Sequence, residues 1–232
     1  MKNKKILVID NKLDHPFGSL DLCRYLSSAG PVFSRRAPAE DLPTDLSSYS
    51  HIVLSGSRES CSSDKAWVKK LLKLIEAAAE KNIPTLGVCF GHQMIARAFG
   101  GEKSVHESKT PEYGWVEIEK LKSAEKNPLL VGLKNKFMSF QSHREEVVSL
   151  PQEFIVDAKN NRCSIQSFHH VKKPIFGVQF HPERNAEEGE ESVCGKKGKV
   201  SVDSIFNVGK AKQCYDESVV KNIFENFLEI TK

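Results

Sequence analysis

The stretch Ile83-Pro84-Thr85-Leu86-Gly87-Val88-Cys89-Phe90-Gly91-His92-Gln93-Met94-Ile95-Ala96-Arg97-Ala98-Phe99 decides the fold of this chain. Its first part, up to Val88, is a short apolar run of the kind that forms a buried strand. From Gln93 to Phe99 the pattern is helical, and Gly100-Gly101 ends it. Between the two lies G-x-C-x-G, the cysteine form of a nucleophile elbow. The glycines let the backbone turn sharply and keep side chains away from the reacting atom. The helix that follows aims its N-terminus at the sulfur, which favours thiolate over thiol.

On the N-terminal side, Lys5–Ile9 and His51–Leu54 are further apolar strands, and Val32-Phe33 begins a short one. Leu20–Ala29 reads as a helix closed by Gly30, and Trp67–Glu80 as an amphipathic helix with Leu71, Leu72, Leu74 and Ile75 on one side. Residues 38–49 read as loop. This alternation predicts an α/β fold, a mostly parallel open sheet with helices on both faces. Functional loops then lie beyond the C-terminal ends of the strands, so Ser55–Arg58 and Cys89–Gln93 are expected to be neighbours.

The second half is β-rich, with short strands expected over Tyr113–Glu119, Lys136–Phe140, Phe154–Ala158, Ser164–His169 and Ile175–Gln179. His169-His170 reads as a solvated strand end. Residues 184–217 are polar, with an acidic run at Glu187–Glu191 and a basic one at Lys196–Lys199, and read as an irregular, mobile insertion in a single domain spanning 1–232. Val219–Ile230 is a closing amphipathic helix.

Composition bounds the function. At 39% hydrophobic and 28% charged the chain is an ordinary globular protein, and a net charge of +4 is too small to argue for nucleic-acid binding. No apolar run is long enough for a membrane span. The basic lead Met1–Lys5 meets too short an apolar stretch for a signal peptide. Cys23, Cys61, Cys89, Cys163, Cys194 and Cys214 show no paired spacing, which favours a reducing cytoplasm over a disulfide framework. Cys163, His169, Cys194 and Cys214 match no common zinc pattern, and neither metal nor cofactor is expected.

A cysteine nucleophile needs a base, and the base an orienting group. Val178-Gln179-Phe180-His181-Pro182-Glu183 supplies both, because residues two apart in an extended segment point the same way. Glu183 would then accept from one nitrogen of His181 while the other faces Cys89. Oxyanion donors are expected at the backbone N–H of Phe90 and in the Gly56-Ser57 turn. Gln93, one helical turn past Cys89, is placed to hold a polar substrate. His92 reads as structural.

These motifs resemble the class I (triad) glutamine amidotransferases. Leu54-Ser55-Gly56-Ser57-Arg58 and Gln141-Ser142-His143-Arg144-Glu145 are most similar to the glutaminase domain of GMP synthase and its stand-alone relatives. The resemblance implies a flavodoxin-like sheet and a glutaminase in which Cys89 attacks the glutamine side-chain amide, a γ-glutamyl thioester forms, and His181 activates water to release glutamate. It also implies contacts of glutamine with Gln93 and with the Ser142, His143, Arg144 backbone, and oxyanion donation from the amides of Ser57 and Phe90. Two positions depart from the family pattern. Ser57-Arg58 stand where a second glycine and often a proline are usual, and Arg144-Glu145 replace Gly-Asp.

Neither a Ser-Gly-Gly-x-Asp-Ser pyrophosphatase loop nor a Walker A pattern occurs in the sequence. Either the ammonia passes to an acceptor held by a separate synthetase subunit, or the protein is a free-standing hydrolase or transferase acting on γ-glutamyl amides. Two other readings stay open, a γ-glutamyl peptide hydrolase or transferase and a non-catalytic regulatory module. A redox sensor ranks below them, for want of an adjacent resolving cysteine.

Overall fold

The computed structural model describes residues 4–13 and 19–231, so residues 1–3 of the basic lead lie outside it. Ten strands form one sheet. Its parallel half runs in the order β2 (Val32–Arg36), β1 (Ile6–Asp10), β3 (His51–Leu54), β4 (Thr85–Val88), β9 (Ile175–Val178). The other half continues from β9 through antiparallel β8 (Ser167–His170), β7 (Phe154–Lys159) and β5 (Val105–Lys120), with β6 (Lys136–Val147) paired to β5.

The parallel strands are buried on both faces, which is why they read as unbroken apolar runs rather than as alternation. In β1, Leu7 and Ile9 join the cluster beneath α2 (Ala66–Glu80) and α3 (Phe90–Gly100). Ile6 and Val8 join the opposite cluster, beneath α1 (Leu20–Leu26) and α6 (Glu217–Glu229). The apolar stripe of α2 (Val68, Leu71, Leu74, Ile75, Ala78) and that of α6 (Val220, Ile223, Phe224, Phe227) close the two faces.

Several boundaries differ from the sequence reading, each for a physical reason. Helix α3 starts at Phe90, earlier than Gln93, because the Cys89 carbonyl already accepts from Gln93 N at 3.0 Å. Strand β5 begins at Val105, well before Tyr113; its first half carries exposed charges and a register shift between Glu107 and Glu112, which hide the period of two. Strand β6 runs on to Val147 and so carries Gln141–Arg144 within the sheet. His169 is no solvated strand end; it is buried, with Nδ1 2.9 Å from Asp157.

The reading of 184–217 as irregular is also corrected. The segment contains α4 (Ala186–Cys194), the two-residue strand β10 (Ile205–Phe206), which pairs with β5, and α5 (Ala211–Cys214). A capping box starts α4: Asn185 Oδ1 accepts from Glu188 N at 2.8 Å, and Asn185 N donates to Glu188 Oε2 at 3.2 Å. Glu187 and Glu188 of the acidic run are therefore favourable charges in the first turn of a helix. Val193 and Ala211 pack with Trp115 and Phe140, docking the segment on β5 and β6. Among the described residues no helix is long and apolar enough to cross a membrane.

Candidate active site

Strands β4 and β9 are parallel neighbours with Val88 opposite Val178. Cys89 therefore leaves β4 beside the point where the chain leaves β9 for His181, and Cys89 N donates to Val178 O at 2.8 Å. Cys89 has φ +51°, a strained conformation for a residue with a side chain. It is held by close approaches that only glycine permits. A Cβ on Gly87 would lie 2.4 Å from the carbonyl carbon of Gly91, and one on Gly91 would lie 2.4 Å from the Leu54 oxygen.

His181 is fixed on both sides. Its backbone N–H donates to Phe140 O at 2.8 Å, and Nδ1 lies 2.7 Å from Glu183 Oε1. Burial alone would lower the His181 pKa, but the charges of Glu183 and Cys89 and their hydrogen bonds overcome it and raise the value to about 10. Burial pushes Glu183 the other way, and the His181 charge prevails there too, holding the carboxyl below its usual range. A carboxylate thus stands behind the imidazole and the sulfur before it, and both favour its protonated form.

The turn after β3 completes the wall. A Cβ on Gly56 would lie 2.9 Å from His181 Cε1 and 3.5 Å from Cys89 Cβ, so Gly56 is wedged against both. Ser57 Oγ accepts from Glu59 N at 3.0 Å. As the first residue of α3, Phe90 has an N–H without an intrahelical acceptor, while its ring is buried beside Trp67. Gly56, Ser57, Cys89, Gln93, Ser142, His143, Arg144 and His181 all line one cavity of about 380 Å³; Glu183 stands behind His181, outside the lining.

Gln93 is more occupied than the sequence suggested. Its Nε2 donates to Glu145 O at 2.6 Å and to Gln179 Oε1 at 3.0 Å, and its Oε1 accepts from Cys61 Sγ at 3.1 Å. Its side chain braces the site. His143 is buried on β6, with Nε2 3.1 Å from Glu112, a carboxylate that also accepts from Asn160 and Gln166. Ser142 presents its carbonyl 3.9 Å from Cys89 Sγ. His92 is buried and stacked on Phe168, and burial lowers its pKa to about 3, which keeps it neutral.

Sequence reasoning missed the clamp on the turn. Glu145 accepts from Ser60 Oγ at 2.5 Å and from Cys61 N at 2.8 Å, and Arg97 donates to Cys61 O and, at 3.1 Å, to Ser63 O. The Gly-to-Ser and Pro-to-Arg departures thus sit in a loop that β6 and α3 hold in place. The signal for Gln179 was present, since it shares a period of two with His181 and Glu183. Nothing in the sequence pointed to Tyr113 or Lys196, which also line the cavity. Among the described residues no cluster of His, Cys, Asp or Glu is grouped as a metal site would need.

Comparisons with known proteins agree on one family. Residues 19–198 match the glutamine amidotransferase class-I family. The chain is 35% identical to a subunit of the glutamine-hydrolyzing GMP synthase of Pyrococcus abyssi, over 80% of its length and 93% of that protein's. It is 36% identical to the corresponding GMP synthase subunit of Methanosarcina barkeri, over 82% and 94%. A glutamine amidotransferase from Thermotoga maritima superposes with a TM-score of 0.78 at 23% identity, covering 99% of this chain and 98% of the other, a likeness of fold.

Proposed function

The chain belongs to the class I glutamine amidotransferase family, and from that premise we propose that it hydrolyses the side-chain amide of glutamine through a Cys89–His181–Glu183 triad. The observation that carries this reading is a strained cysteine at a helix N-terminus facing a buried imidazole that a carboxylate holds at 2.7 Å.

In the first half-reaction the Cys89 thiolate attacks the amide carbon. The carbon–sulfur bond forms, and the carbonyl electrons move to oxygen, toward the amides of Ser57 and Phe90. The oxyanion collapses, the carbon–nitrogen bond breaks, and the imidazolium of His181 gives its proton to the departing ammonia. The thioester is neutral, so one of the charges that raise the His181 pKa is gone; the imidazole holds a proton less tightly and is freer to act as a base. It takes a proton from water as the water attacks, the carbon–sulfur bond breaks, and glutamate leaves.

The ammonia passes to a separate synthetase subunit; the relatives, each named as one subunit of a GMP synthase, support this. The domain is read as a single unit over 1–232, with 184–217 as an insertion in its β-rich half. A cytoplasmic location accords with the cysteines, all of them free thiols.

The test is glutamate release by the purified chain, alone and with a candidate synthetase subunit, beside Cys89→Ser. Wild type should turn over glutamine, and the variant should lose about 10³-fold or more. Full activity in Cys89→Ser overturns the mechanism. Absence of both turnover and Cys89 labelling by a glutamine-like electrophile, with partner present, favours a regulatory module.

A further inference from the structure

The cavity around Cys89 is rich in positive charge. Five cationic side chains line it. Two of them face Asp21, Lys12 at 3.1 Å and Arg184 at 3.7 Å. The other three lie close to one another. Arg58 follows the Ser57 turn, and Arg144 sits on β6 with its guanidinium 3.5 Å from Arg58 O. Lys196 reaches in from the turn after α4, with its ammonium 4.6 Å from the Tyr113 ring centroid.

The two carboxylates in the lining are already engaged. Glu59 pairs with Lys65 at 2.6 Å, and Glu145 holds Ser60 and Cys61. Among the described residues neither Arg144 nor Lys196 has a carboxylate in ion-pair reach. Lys196 is half-buried, and burial, then the nearby charges of Arg58, Lys199 and Arg144, lowers its pKa. Of the charges that act on Lys196 only the Cys89 sulfur favours its ammonium, and an anionic ligand beside it would offset the desolvation and like charge further. The cavity, at about 380 Å³, falls in the range that takes drug-sized ligands and has room for more than an amide group.

We propose that Arg58, Arg144 and Lys196 form a carboxylate subsite for the γ-glutamyl donor, and that the 184–217 segment, by supplying Lys196, takes part in donor selection. The inference rests on the γ-glutamyl chemistry proposed above. The carboxylate has two sources, the α-carboxylate of the glutamyl group or a second one on the departing amine, as in a γ-glutamyl peptide.

The test measures KM and kcat for wild type, Lys196→Ala, Arg144→Ala and Lys196→Arg on four donors: L-glutamine, its α-amide, γ-glutamylglycine and γ-glutamyl methylamide. Each alanine variant should raise KM for carboxylate-bearing donors about tenfold, with a smaller effect on kcat, and Lys196→Arg should restore most of the loss. If the effect vanishes with the α-amide of glutamine, the α-carboxylate is the occupant. If it separates γ-glutamylglycine from γ-glutamyl methylamide, the second carboxylate is.

Equal shifts for donors with and without the carboxylate in question, or none, overturn the proposal. If wild type turns over no donor, the hydrolase reading fails by itself. The subsite is then judged by alkylation of Cys89 with iodoacetate against iodoacetamide. That rate ratio should fall several-fold in Lys196→Ala, and an unchanged ratio overturns the subsite independently.

Discussion

Replacing Gly56 by alanine adds one methyl group where the proposed base has least room. The new Cβ would lie 2.9 Å from His181 Cε1 and 3.7 Å from its Nε2. Ordinary carbon contacts sit at about 3.5–4.0 Å, so the ring must retreat by roughly 0.6–1 Å. It cannot do so freely, because Glu183 holds Nδ1 at 2.7 Å and Phe140 O holds the backbone N–H at 2.8 Å. Overpacking of this kind costs about 1–3 kcal/mol of stability. A displacement near 1 Å at a reacting group costs about 100-fold in rate. The expected result is a folded protein whose kcat for glutamate release is reduced by about two orders of magnitude. Gly87→Ala is the contrast: its Cβ would meet backbone atoms of Gly91 and His92 at 2.4–2.6 Å, where nothing flexible can give, and the elbow itself should fail to form. Thermal unfolding and a glutamate assay on the same preparations separate the two. A Gly56→Ala enzyme with wild-type kcat and an unchanged melting temperature would refute the placement of His181 as the working base.

Glu145→Gln should loosen the 57–61 turn, because a charge-assisted hydrogen bond to Ser60 or Cys61 is worth about 1.5–3 kcal/mol; faster hydrogen exchange at Cys61 and a loss in kcat larger than the change in KM would show it. The His181–Glu183 pair sets a pH window. Glu183 contributes stability above its ordinary 4.5, lost as pH falls through its lowered value; His181 contributes fully below 6.5, lost as pH rises through about 10. The melting-temperature gap between wild type and Glu183→Gln should therefore be widest between pH 4.5 and 6.5 and narrow toward pH 10, and a gap independent of pH would contradict the charge pair. Burial, then the Glu145 charge, pushes the Cys61 thiol well above its ordinary value. Brief iodoacetamide treatment near neutral pH should mark Cys89 and the exposed Cys194 but spare Cys61, as read by peptide mass spectrometry.

What the sequence disclosed was what short-range pattern can encode. Thr85–Val88, His51–Leu54 and Ile6–Ile9 announce themselves because a strand buried on both faces needs an unbroken apolar run. The elbow glycines are legible because their lost side chains answer to backbone at 2.4 Å. Charge runs hid the rest. The glutamates of α4 looked like solvated loop, although the Asn185–Glu188 capping box starts a helix there. The first half of β5 alternates charges around a bulge and lost its period. Contacts made wholly by tertiary approach, Glu145 to Cys61 or Lys196 over Tyr113, leave no local mark.

The position of β9 has a consequence for how the chain is made. This strand is synthesised long after β4, yet it lies between β4 and β8 at the middle of the sheet. At about 5–20 residues per second, the ribosome delivers His181 roughly 5–20 s after Cys89. Throughout that interval β4 is an open edge, and Cys89 lacks both its anchor on Val178 and its neighbour His181. Insertion of β9 closes the sheet and sets the imidazole against the sulfur in one event. On the proposed triad, the thiol therefore meets its base only once β9 is in place.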